Sequence, residues 1–166
     1  LGAPSPGNVL IIRSSGLRED SKERSAAGEF VSVPHVTSWS RFETALRSVM
    51  GDAAGIPAIV QAQLDPLLSG VLFPTDPVSG NRNVAIFEIV EGFAGGFLSG
   101  DRTASTYRMM GDDIDGDDDG HAQLLRRLAQ VGRTIERLQN RPVDIEFAVD
   151  RQNRIWTIQM RPVVNG

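Results

Sequence analysis

The stretch Pro142-Val143-Asp144-Ile145-Glu146-Phe147-Ala148-Val149, then Asp150-Arg151-Gln152-Asn153, then Arg154-Ile155-Trp156-Thr157-Ile158-Gln159-Met160-Arg161-Pro162, decides how the chain is read. Two runs that alternate apolar and polar residues meet across a polar turn, the pattern of a β-hairpin. With Asp150 facing Asn153 around Arg151-Gln152, Phe147 pairs with Trp156 and Ile145 with Ile158 on one face. The other face then carries Asp144, Glu146, Thr157, Gln159 and Arg161. Side chains alternate with period two, so a slip of one residue would turn the charges into the core; the register is expected to be strongly specified.

Two carboxylates, an amide and an arginine on one face of a rigid hairpin suit a divalent cation and a phosphate. Hard cations such as magnesium take oxygen ligands, which Asp144, Glu146 and the Gln159 carbonyl can supply, and a guanidinium forks onto phosphate oxygens. A solvated hairpin face with an ordinary surface salt bridge is the other reading, since such pairs are common and weak.

The chain has 166 residues, 40% of them hydrophobic and 23% charged, which suits one globular domain with a sizeable core. A formal net charge of −4 leaves no general basic field for nucleic acid, so anion binding must be local. The absence of cysteine removes disulfides, thiolate metal sites and a cysteine nucleophile. There is no apolar run of about 18 residues and no charged-then-apolar leader, so no membrane segment is expected and the expected location is cytoplasmic. Residues 1–7 lack a methionine and are rich in Pro, Gly and Ser, as in a linker or tail, which makes a piece of a longer protein the expectation.

Along the chain, Asn8-Val9-Leu10-Ile11-Ile12-Arg13 reads as a strand buried on both faces, followed by a polar, aperiodic loop over residues 16–28. Arg13 stands at the strand end, either at a functional site or paired with Glu19 or Asp20. Phe30-Val31-Ser32-Val33 resumes a strand that Pro34 is expected to end. Trp39, Phe42, Ala45, Leu46 and Val49 have helical spacing, with Ser38 or Thr37 as N-cap and Gly51 past the end. Trp39 reads as a core anchor of that helix in preference to an adenine stacker. Strands follow over residues 57–64 and 83–90, with another over residues 104–109, and Pro74 is expected to stop the strand that begins near Ser69 or to place it at a sheet edge.

Glycines at Gly92, Gly95 and Gly96 allow close backbone approach to a phosphate, or mark a flexible turn. Asp115, Asp117, Asp119 and Gly120 match the start of a calcium loop, but Arg126 stands where the bidentate glutamate is needed. Residues 112–119 are therefore expected to form a self-repelling, poorly ordered loop without calcium. It leads into a helix over residues 120–140, with an apolar stripe of Leu124, Leu125, Leu128, Val131, Ile135 and Leu138 and with His121 exposed at its start.

The Asp144-Ile145-Glu146-Phe147 and Trp156-Thr157-Ile158-Gln159-Met160-Arg161-Pro162 runs resemble the end of the ATP-binding domain of the pyruvate phosphate dikinase and phosphoenolpyruvate synthase family, an ATP-grasp fold. The resemblance implies that Glu146 and Gln159 hold magnesium and that Arg161 is a phosphate-binding catalytic arginine, with Asp144 beside them in the nucleotide site. Arg13-Ser14-Ser15-Gly16-Leu17-Arg18-Glu19-Asp20, followed by Ser25-Ala26-Ala27-Gly28-Glu29, is similar to a second signature of the family. There Ala26 replaces the usual Phe and Glu29 the usual Gln. That similarity implies that Arg13 contacts the ATP phosphates. Ser69-Gly70-Val71-Leu72-Phe73 resembles a family strand, with Pro74 in place of threonine. In the family the strand that corresponds to Val60-Gln61 lies near the adenine pocket, which makes Gln61 a nucleotide-contact candidate, and Glu88, on the strand before the Gly-rich turn, is another.

The resemblance runs from residue 9 to residue 164. It implies an α+β, ATP-grasp-like fold, a mostly antiparallel sheet with two main helices, in which residues 8–164 are the later portion of a nucleotide-binding domain. The implied cofactors are ATP and Mg2+. The implied reaction passes phosphate from ATP to a histidine on a separate domain and on to pyruvate or another acceptor. The implied partners are therefore the phosphohistidine and acceptor domains of a parent protein, with neither nucleic acid nor membrane. The family's earlier, lysine-bearing portion has no counterpart here, so the fragment alone is expected to be nearly inactive and to bind magnesium-ATP weakly. A noncatalytic nucleotide-binding or regulatory module that keeps the fold is the alternative. Ala26, Glu29 and the Gly-rich turn, which keeps only Leu98-Ser99-Gly100 of the family's tighter Gly-Leu-Gly-Glu and Val-Ser-Gly pattern, favour it; Arg13, Glu146, Gln159 and Arg161 oppose it.

Overall fold

The computed structural model describes residues 1–15, 31–51, 57–93, 104–116 and 120–163. The loop read over residues 16–28, with Ala26 and Glu29, lies outside the described residues, as do most of the Gly-rich segment (94–103) and Asp117 to Asp119. The chain divides into two compact units, Leu1–Leu64 and Asp65–Gly166.

In the first unit β1 (Leu10–Ser14) lies between β2 (Ser32–Val36) and β3 (Ala58–Ala62), antiparallel to both, and α1 spans Trp39–Met50. Leu10 and Ile12 face the helix and are buried with Val36, Ala45 and Val49, while the alternate residues Ile11 and Arg13 are only half-buried. The strand is thus buried on one face, not on both as its apolar run suggests. Ser38 caps α1, its hydroxyl accepting from the Arg41 N–H at 3.3 Å, and Gly51 ends it at φ 57°. Pro34 does not end its strand. It sits within β2, an edge strand, beside a register shift and before His35 at φ 58°, and edges and bulges are where a proline without an N–H is tolerated. Trp39 is 60% exposed and makes an edge contact with Phe42 instead of anchoring the core. At 100° per residue it projects about 100° away from the Ala45–Val49 line, on the flank of the buried stripe.

The second unit is a six-stranded antiparallel sheet. Its strands are β4 (Pro66–Phe73), β5 (Val84–Glu91), β6 (Ser105–Met110), β7 (Asp113–Asp115), β8 (Val143–Asp150) and β9 (Ile155–Pro162), ordered β7-β6-β5-β4-β8-β9. Helix α2 (Ala122–Gln139) covers one face. Leu125, Leu128 and Ala129 pack there on Leu72, Phe87, Tyr107, Ile145 and Phe147. The buried line of α2 runs through Leu125, Leu128, Ala129 and Gly132, and Leu138, about 130° away from it at 100° per residue, is 79% exposed. Gly132 marks the closest approach: a Cβ there would stand 2.7 Å from Pro74 Cγ and 2.8 Å from Leu72 Cδ2. Strand β4 ends before Pro74, as expected, and Asn140 terminates α2 in the left-handed region.

The acidic run is not wholly a loose loop. Asp113–Asp115 pairs with β6 across a turn that holds Gly111 at φ 63°, where a two-residue hairpin needs a positive φ. His121 is half-buried, its ring tilted 6.2 Å from that of Tyr107. The whole is the α+β, two-helix, mostly antiparallel architecture expected, consistent with an ATP-grasp-like fold, and among the described residues no helix is long and apolar enough to cross a membrane.

Candidate functional site

The β8–β9 hairpin forms, but not in the register its pattern suggests. Asp150 pairs with Arg154, not Asn153: the Asp150 N–H donates to the Arg154 carbonyl and the Asn153 N–H to the Asp150 carbonyl, with Asn153 at φ 59°. The loop therefore has three residues, a turn followed by a left-handed residue. Four donors hold it by converging on the Asp150 carboxylate: the N–H groups of Gln152 and Arg154, the Arg154 guanidinium at 2.7 Å and the Trp156 indole at 2.9 Å. Burial pushes this carboxyl up, but the bonds from Trp156, Arg154 and Gln152 outweigh it and hold its pKa at about 2.

Phe147 consequently pairs with Thr157 and Ala148 with Trp156, while a register shift at Ile158 brings Glu146 opposite Gln159, Ile145 opposite Met160 and Asp144 opposite Arg161. Ile155 and Met160, not Trp156 and Ile158, pack on the core; Trp156 is 40% exposed and Ile158 is exposed. Thr157 leaves the polar face, since directly paired residues share a face and its partner is the buried Phe147. Asp144, Glu146, Gln159 and Arg161 share the face opposite α2, as expected.

These four are in contact. The Asp144 carboxylate accepts from the Arg161 backbone N–H at 3.1 Å. Arg161 Nη2 lies 3.5 Å from Glu146 Oε1, both side chains being partly exposed. With its amide oxygen turned inward, Gln159 accepts from Arg161 Nε and Nη2 at 2.9 Å each, the orientation that satisfies donor and acceptor alike.

Glu88 joins the same face. Val71 pairs with Glu146 on one side and Glu88 on the other, and Glu88 pairs with Thr106, so Gln159, Glu146, Val71, Glu88 and Thr106 form one row across the sheet. The two glutamates flank Val71 at two strand spacings, about 10 Å between Cα atoms. Sequence reasoning missed the residue that allows this, Gly70. A Cβ there would stand only 1.9 Å from the Glu88 carbonyl oxygen, so β4 approaches β5 beside Glu88 only because position 70 has no side chain. An isolated glycine inside a strand pattern is the signal that could have found it.

Arg13 and Gln61 belong to the first unit. Arg13 pairs with Ile59 and Gln61 with Ile11, so both lie on the sheet face opposite α1. Among the described residues no group of three or more His, Cys, Asp or Glu gathers as a metal cage. Two oxygens that could serve a hard cation, the Glu146 carboxylate and the Gln159 amide oxygen, lie directly across the hairpin from each other; a magnesium ion held there would keep water or phosphate oxygens for its other positions.

Residues 118–165, which contain this hairpin, match the family model described as the pyruvate phosphate dikinase AMP/ATP-binding domain. Over that segment the chain is similar to that domain. Similarity extends along nearly the whole chain: the prodigiosin synthesizing transferase PigC of Serratia marcescens is 23% identical over 95% of this chain and 23% of its own length. A rifampicin phosphotransferase of Bacillus subtilis is 25% identical over 94% of this chain and 23% of its own. A probable phosphoenolpyruvate synthase of Methanocaldococcus jannaschii is 25% identical over 93% and 17%. The chain thus spans less than a quarter of the length of these curated relatives. What the matched model describes is binding of an adenine nucleotide, and the phosphotransferase and synthase among the relatives are enzymes.

Proposed function

We propose that this chain is the later part of an ATP-binding domain, residues 8–164, in a cytoplasmic phosphotransferase that carries further domains. It passes phosphate from ATP to a histidine on one of those domains and from there to pyruvate or another acceptor. One observation carries the reading: Glu146, Gln159 and Arg161 meet on the sheet face opposite α2, inside the segment that matches an AMP/ATP-binding domain. A carboxylate beside an amide oxygen binds a hard cation, and the adjacent guanidinium binds phosphate oxygens.

In this reading Glu146 and Gln159 hold Mg2+, which neutralises charge on the phosphates when bound. Arg161 forks onto a phosphate and stabilises the charge that spreads over it during transfer. Asp144 orients β9 through the Arg161 N–H. Glu88 contacts the nucleotide; for the first unit, taken by itself, the resemblance assigns Gln61 to nucleotide contact and Arg13 to the ATP phosphates. The names of the relatives, enzymes of transfer and synthesis, favour this over a noncatalytic module that keeps the fold.

The test is ATP-dependent self-phosphorylation of the full-length protein. Label is expected on a histidine outside residues 1–166, and it should be lost in Glu146→Gln. A fully active Glu146→Gln protein would refute the assignment.

A further inference from the structure

We propose that Arg161 and the divalent cation compete for Glu146 and Gln159, so that the site takes up a cation together with nucleotide phosphate and poorly without it. This inference rests on the ATP-site reading above and concerns how that site is loaded.

Both donors assigned to the cation already face the guanidinium. Gln159 accepts from two of its N–H groups at 2.9 Å, and Glu146 Oε1 lies 3.5 Å from Nη2. A guanidinium brings a positive charge and five donors in a rigid fork to those two oxygens. A divalent ion set between the same two oxygens meets a positive charge within a few ångströms. Unit charges 4 Å apart in water interact by about 1 kcal/mol, roughly fivefold in affinity, and a double charge raises the penalty further.

The backbone shows which part yields. The Arg161 N–H is held by Asp144 and its strand is paired along β8, so the main chain stays in register. The Arg161 side chain, by contrast, is 42% exposed, so its guanidinium can swing. Phosphate is the group that draws it away, because a planar fork matches phosphate oxygens in two parallel charge-assisted bonds, stronger than bonds to a neutral amide. Nucleotide and cation then favour each other's binding by the same factor, as linkage requires.

The experiment measures free Mn2+ by electron paramagnetic resonance during titration of the full-length protein, with and without a non-hydrolysable ATP analogue. Wild type is expected to bind Mn2+ weakly alone and more tightly with the analogue. Arg161→Met and Arg161→Gln should bind Mn2+ alone at least about tenfold more tightly than wild type, and adding Glu146→Gln should abolish that gain. If both single variants bind Mn2+ alone no better than wild type, while wild type with the analogue binds it through Glu146, competition is overturned and the ATP-site reading survives. If wild type binds no Mn2+ even with the analogue, the ATP-site reading falls and this inference falls with it.

Discussion

Glu146 and Gln159 stand directly opposite each other across β8 and β9, and they do so because Ile158 is an extra residue in β9. The three-residue loop moves the pairing one step away from the simplest register, and the shift at Ile158 moves it one step more. Two steps restore the parity of the strand. The polar residues Gln159 and Arg161 therefore return to the face of Glu146 and Asp144, while Trp156 and Thr157, nearer the loop, have exchanged faces.

Neighbouring positions on β8 should behave in opposite ways. Phe147 is fully buried against α2 and its sheet neighbours, so Phe147→Ala should cost about 3–5 kcal/mol in urea denaturation. Glu146→Gln keeps the shape and lies outside that core, so it should change stability by less than about 1 kcal/mol while removing phosphoryl transfer.

Gly70 and Gly111 separate steric need from conformational need. Gly70→Ala drives a methyl into the backbone carbonyl of Glu88, which cannot rotate away, and should cost about 3 kcal/mol or more. Gly111 has open space around it and only its positive φ to defend, so Gly111→Ala should cost about 1–2 kcal/mol. Equal melting temperatures for the two variants would contradict the close approach of β4 and β5.

The hairpin loop should loosen in acid. The folded pKa of Asp150, about 2, lies below its unfolded value of about 3.9. The native state therefore binds the proton less readily, and the contribution of this carboxylate is complete above about pH 4 and lost as pH falls towards 2. Denaturation midpoints measured across that window should fall less in Asp150→Asn than in wild type. Trp156→Phe removes the indole donor and should raise the Asp150 pKa, moving the loss to higher pH.

Two leucines of one sequence stripe should differ sharply. Leu125 is fully buried and Leu125→Ala should cost about 2–5 kcal/mol, whereas Leu138→Ala, at the exposed end of α2, should stay within about 0.5 kcal/mol. Thermal unfolding of both variants decides whether α2 packs along Leu125, Leu128, Ala129 and Gly132.

The sequence by itself determined the local elements and the polar face of the hairpin, because those depend on residue types and their period. Ser38 and Gly51 bounded α1, Pro74 ended β4, and the alternation from Asp144 to Phe147 made a half-buried strand, each through chemistry within a few residues. Tertiary structure decided what depends on distant partners. Alternation cannot count an extra residue, so the three-residue loop and the shift at Ile158 were hidden, and with them the exposure of Trp156. A helical stripe has a width but no marked centre until a sheet presses on it, so Ala129 and Gly132 displaced Leu138 from the buried face of α2. The row from Gln159 through Glu146, Val71 and Glu88 to Thr106 was likewise invisible, because strand order, which brings residues far apart in sequence side by side, is set by how the whole sheet buries its apolar face against α2.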